Sequence, residues 1–159
     1  MKYFKRILAK GIRLITISRP DSLSVNILVL VEAGSKYEPK NQSGISHFLE
    51  HMCFKGTKKR PAAISLSSEL DALGAQYNAF TSQEYTGYYV TCLPDKAEQA
   101  LDIISDMYLN STFPAEEIEK EKGVIVEEIN MIEDVPMRKV QDLFTGLLYG
   151  DQPAGWDVA

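Results

Sequence analysis

Between residues 24 and 33, Val25, Ile27, Val29 and Val31 alternate with Asn26, Leu28 and Leu30, so a strand here is apolar on nearly both faces. Such a strand needs cover on each side, which predicts an internal strand of a sheet with helices packed on it. Residues 4–18 read as a strand before it, with Arg19-Pro20-Asp21 as the turn between them. Residues 75–81 and 86–93, rich in Tyr, Phe, Thr and Val, read as two more strands joined as a hairpin by Ser82-Gln83-Glu84. Helical segments fill the rest. Ser43 can cap a helix running to about Lys55 and closed by Gly56, and a second covers residues 64–73 before Gly74. Others span residues 94–109 and 114–133, and a last one follows Pro136 with Val140, Leu143, Phe144, Leu147 and Leu148 at helical spacing. The order β-β-α-α-β-β-α-α-α predicts an α+β fold, an antiparallel sheet with helices packed on it.

No repeat, low-complexity stretch or linker divides the chain, and 159 residues suit one domain spanning 1–159. Residues 150–159 read as a loop without a closing strand or capped helix, so an incomplete, amino-terminal domain is expected. A net charge of −5 argues against nucleic acid or an anionic membrane surface as partner. No apolar run reaches the ~18 residues that span a bilayer, and Lys10 and Arg13 interrupt the start as a secretion signal, so a cytoplasmic location is the default expectation. Cys53 and Cys92 are too few for a disulfide framework and read as buried free thiols, with a single bridge left open.

The chain has only two histidines, and they stand four apart in His47-Phe48-Leu49-Glu50-His51. On a helix they lie about 40° apart, with Glu50 on the same side and Ile45, Phe48, Leu49 and Met52 opposite. One face is then greasy and core-directed, and the other offers two neutral nitrogen ligands with a carboxylate base beside them, the needs of a zinc site. A histidine pair at this spacing also arises by chance on surface helices, so the context decides. In the helix after Pro114, Ile118, Val124, Ile125, Ile129 and Ile132 form an apolar stripe. Glu121 and Glu128, seven apart, fall within it, while Glu127 points away. Carboxylates inside a core-facing stripe are costly unless paired or bound to metal. A ligand role for Glu128 removes that cost, and Glu121 is then placed to contact a ligand histidine; the alternative is a wide stripe with both glutamates on its rim.

Three stretches, residues 44–57, 74–82 and 121–128, resemble the pitrilysin/insulysin superfamily of zinc peptidases, the inverzincins. The resemblance is closest to the branch of mitochondrial processing peptidase and its bacterial relatives, and it spans essentially the whole chain. It implies a pitrilysin-like amino-terminal domain in which His47, His51 and Glu128 bind Zn2+. Glu50 would be the general base that takes the proton from the attacking water, and Glu121 would support the site. It implies that Asn78, Ala79, Phe80 and Thr81 form the strand on which a peptide or unfolded polypeptide is laid as an added β-strand.

Family members resemble a clamshell of two homologous halves. The resemblance therefore implies a partner, the missing carboxyl-terminal half or a homologous subunit, without which the chain binds zinc yet cleaves peptides poorly or not at all. Apolar surface left open by that half makes a homo-oligomer a further expectation. The implied activity is a zinc metalloendopeptidase, and the alternative is a non-catalytic peptide-binding or scaffold subunit. A structural metal is disfavoured, because Cys53, the only fourth ligand within reach, lies about 120° round the helix from the histidines. Zinc is the default for two imidazoles and a carboxylate, ahead of cobalt or manganese.

Overall fold

The computed structural model describes residues 2–158; Met1 and Ala159, the ends of the expected 1–159 domain, lie outside the described residues. The first strand expected over residues 4–18 is instead a hairpin of β1 (Phe4–Ile7) and β2 (Arg13–Thr16), paired from Phe4↔Thr16 to Ile7↔Arg13. Lys10 at φ 60° and Gly11 at φ 80° reverse the chain between them, and glycine takes that left-handed region at little cost. The apolar residues of this stretch masked the turn.

The main sheet has the order β3-β5-β4, built from β3 (Val25–Val31), β4 (Gln76–Thr81) and β5 (Thr86–Cys92). Both pairings are antiparallel, with rows such as Leu28↔Tyr89↔Asn78 and Leu30↔Gly87↔Phe80. The central strand is therefore β5, and the apolar β3 that was expected inside lies at an edge. Leu28 and Leu30, on its outward face, remain 50% and 57% exposed. Apolar residues on both faces of a strand say that both could be covered, not which neighbour covers them.

The helices are α1 (Ile45–Met52), α2 (Ala63–Ala72), α3 (Ala97–Asn110), α4 (Ala115–Glu133) and α5 (Pro136–Tyr149). One face of the sheet, with Tyr88, Val90 and Cys92 of β5, packs on Leu66 and Leu70 of α2 and on Ala100, Ile103, Ile104 and Met107 of α3. Cys53 and Cys92 are both free and buried in this core. On the other face, Phe80 lies across Gly87, where a Cβ would come within 2.2 Å of its ring. Helix α5 presents Leu143, Phe144 and Leu147 to solvent. The α+β class with antiparallel sheets is as the sequence predicts. No helix among the described residues is long and apolar enough to cross a membrane.

A closed ionic cluster ties the loop after α1 to α2 and α3. Arg60 donates from Nη1 to Asp106 (2.8 Å), from Nη2 to Asp102 (2.8 Å) and from Nε to Glu69 (2.9 Å), while Thr57 donates to Asp106 at 2.6 Å. Burial works against the Arg60 charge, but these three carboxylates outweigh it and hold the guanidinium firmly protonated.

Candidate metal centre

Helix α1 carries the first half of the site, and its start is anchored by a carboxylate. Glu38 accepts the backbone N–H groups of Gly44 and Ser46, each at 2.7 Å, and thereby satisfies donors at the helix amino terminus. Gly44, at φ 86°, makes the turn into the helix. Ser43, expected as the cap, makes no capping bond; a longer side chain from an earlier turn reaches the same donors.

The burial of α1 departs in part from the expected division of faces, since both sides of the helix are covered: Phe48 is half-buried as well. Glu50 is buried and His47 and His51 are half-buried, facing β4 and α4, whereas Ile45 and Leu49 are exposed. Of the apolar set assigned to the core, Met52 is fully buried. The polar face turns inward because it meets partners there. Helix α4 presents Glu121, Ile125 and Glu128 on its packed side and Glu127 to solvent, as its stripe predicts; Val124, expected within the stripe, is exposed instead.

The two helices meet as an antiparallel ladder, so that higher numbers on α1 face lower numbers on α4. His47 Nε2 and His51 Nε2 lie 3.1 Å apart, and Glu128 Oε2 is 3.9 Å from the first and 3.5 Å from the second. A point equidistant from these three atoms is about 2 Å from each, the length of zinc–nitrogen and zinc–oxygen bonds. The residues present therefore fit a metal ion. One rung further, Glu121 Oε1 is 2.8 Å from His51 Nδ1, and Glu121 Oε2 is 2.5 Å from Lys55 Nζ.

Proton placement follows from these contacts. An ionised carboxylate only accepts, so His51 carries its proton on Nδ1 and turns the lone pair of Nε2 toward His47 and Glu128. Burial would raise the pKa of Glu121, but hydrogen bonds from Lys55 and His51 outweigh it and hold the carboxyl below its ordinary range. His47 is pushed down by burial and then by its neighbour His51, which favours the neutral, ligating form. His47 Nδ1 is buried without a hydrogen-bond partner among the described residues.

Glu50 accepts a hydrogen bond from the Thr81 hydroxyl. Thr81 sits at the end of β4 with its side chain toward α1, so this member of the expected peptide-laying strand also orients Glu50. No signal in the sequence joined these two residues, since a pairing between residues so distant depends on the docking of α1 on β4. The other three, Asn78, Ala79 and Phe80, lie on a strand whose outer edge has no strand partner among the described residues. The Ala79 N–H is taken by Asn78 Oδ1 at 2.9 Å.

Two imidazoles and a carboxylate around one point, with a further carboxylate beside them, define the class of metal-dependent hydrolase sites. The family profile described as Insulinase (Peptidase family M16) matches residues 13–158, and the chain belongs to this family. It is 44% identical over 148 residues to a Bacillus subtilis protein described as an uncharacterized zinc protease, YmxG, covering 93% of this chain and 36% of that protein. A Streptomyces coelicolor protein, also described as an uncharacterized zinc protease, is 40% identical over 148 residues, with 93% of this chain and 32% of that protein covered. The chain thus spans about a third of the length of these curated relatives. Among solved structures, a protease from Helicobacter pylori superposes with a TM-score of 0.91 at 24% identity, covering 98% of this chain and 38% of the other. The inactive domain of a Pseudomonas fluorescens peptidase M16 superposes at 0.87 with 18% identity, covering 99% and 38%. At these identities the two structures speak to the fold alone.

Proposed function

We propose that this chain carries the metal-binding and proton-transfer machinery of a zinc metalloendopeptidase. His47 and His51 through Nε2, and Glu128 through Oε2, hold Zn2+; Glu50 is the general base. The observation that carries this reading is the common point about 2 Å from three donor atoms, with a buried fourth carboxylate oriented beside it. When bound, zinc polarises a peptide carbonyl and makes water acidic enough to lose a proton near neutral pH. Glu50, steered by the Thr81 hydroxyl, takes that proton as water attacks and later passes it to the leaving amine.

The substrate is a peptide or unfolded polypeptide added as a strand on β4, with main-chain hydrogen bonds giving affinity without a demand for sequence. Its carbonyl replaces Asn78 Oδ1 on the Ala79 N–H. The greater length of the relatives supports a requirement for further polypeptide, a carboxyl-terminal half or a homologous subunit, to close over the substrate. A non-catalytic peptide-binding subunit would have no use for a held Glu50.

The test is zinc content, with hydrolysis of a fluorogenic peptide measured alongside, for the wild type, His51→Ala and Glu50→Gln. The expected result is about one zinc per chain in the wild type and in Glu50→Gln, and none in His51→Ala. A folded wild-type chain that takes up no zinc would overturn the proposal. Hydrolysis, alone or with the complementing polypeptide, is expected to depend on Glu50; equal rates with Glu50→Gln would remove its role as base.

A further inference from the structure

One cation of the site has no part in metal ligation or proton transfer. Lys55 follows His51 by four residues, as His51 follows His47, so the three side chains form one stripe along α1 and the turn that continues it. That turn tightens to bonds spanning three residues, with the Lys55 N–H on Met52 O at 3.1 Å. The Lys55 side chain is only 21% exposed, against 59% for Lys59 and 58% for Lys120, and its ammonium reaches inward to Glu121 Oε2 at 2.5 Å.

Glu121 is the member of the ladder with least freedom to find other partners, because its side chain is 5% exposed. Its Oε1 faces the Nδ1–H of His51 and its Oε2 faces Lys55. Without Lys55, Oε2 would be a buried carboxylate oxygen lacking a donor, a costly state that a carboxylate relieves by rotating or withdrawing toward water. Either movement takes Oε1 away from His51. The imidazole then loses the bond that sets its tautomer and ring angle, and with it the direction of the Nε2 lone pair.

We infer that Lys55 is a positioning residue for the metal site: by holding Glu121 Oε2 it keeps Glu121 Oε1 on His51 and so sets the His51 ligand for zinc. The inference rests on the zinc reading above. It differs from a plain α1–α4 tie, which would add stability without passing through Glu121 to the ligand.

The experiment measures the zinc dissociation constant by competition with a chromogenic chelator for the wild type, Lys55→Met, Lys55→Arg, Glu121→Gln and the double variant Lys55→Met with Glu121→Gln. Lys55→Met is expected to weaken binding roughly tenfold, the lower end of the effect of groups that orient a ligand histidine. Lys55→Arg, which keeps a charged donor, should restore most of the affinity. In the Glu121→Gln background, Lys55→Met should change little, because the two act in series. Wild-type affinity in Lys55→Met, or the same loss with and without Glu121, would overturn the inference while leaving the zinc site standing. Absence of zinc binding in the wild type would overturn both. Circular dichroism accompanies each variant, and Lys55→Ala, which likewise removes the donor, carries the same comparison if Lys55→Met fails to fold.

Discussion

Two clusters of charged side chains among the described residues, one around Arg60 in the loop after α1 and one around the α1 histidines, are built to opposite rules. Around Arg60 every strong donor meets a carboxylate: three acceptors surround one guanidinium, and Thr57 and Asn110 complete the donors to Asp106. Around His47 and His51 the pattern is left open. Two ring nitrogens and a carboxylate oxygen converge on one point, and His47 Nδ1 has no partner among the described residues. A closed cluster is scaffold, because its members already satisfy one another. The second cluster instead turns its three donor atoms toward a single point, where they could hold a metal cation. The difference lies in donor count rather than in burial.

Four perturbations sharpen or break that comparison. The largest expected effect belongs to the open cluster: Glu50→Gln should lower peptide hydrolysis by about 10²–10⁴-fold with zinc content unchanged, measured on the active assembly. Loss of zinc in Glu50→Gln would mean that Glu50 helps to hold the metal instead. Arg60→Met should lower unfolding stability by about 3–5 kcal/mol in urea titrations, since it leaves the buried Asp106 carboxylate without its cation, while Asp102 keeps Lys59. Its zinc affinity should stay at the wild-type value, and a parallel loss of zinc would show that the two clusters are not separate.

Zinc at 100 times its dissociation constant should stabilise the wild type by about 2.7 kcal/mol and leave His51→Ala unmoved, read from melting curves. Equal shifts in both would place the ion elsewhere. The smallest effect concerns pH. Burial raises the pKa of Asp106, but hydrogen bonds from Thr57, Arg60 and Asn110 outweigh it and hold the carboxyl below its ordinary value of 3.8. A depressed carboxylate pKa contributes stability that is complete above about pH 5 and is lost as pH falls through 3.8 and below. Asp106→Asn should therefore flatten the acid limb of the stability curve; an unchanged acid limb would assign it to other carboxylates.

The amino-acid sequence by itself determined the phase of residues within each element. Helical periodicity alone places His47, Glu50 and His51 on one side of α1, and Glu121 and Glu128 together on α4 with Glu127 turned away; the structure keeps each of these relations. The β4–β5 hairpin was legible for the same reason, because its strands are joined by a short polar turn.

What covers each face was decided only by the tertiary structure. Helix α1 turns its ionisable side inward and leaves Ile45 and Leu49 exposed, β3 lies at an edge, Glu38 rather than Ser43 anchors α1, and Thr81 and Lys55 complete the site from outside the motif. Apart from the Glu38 anchor, which lies a few residues before α1, each of these depends on a partner far along the chain. Periodicity is set by bond geometry within a segment, whereas a face is buried only by whichever segment docks on it, and that choice belongs to the packing of the whole molecule.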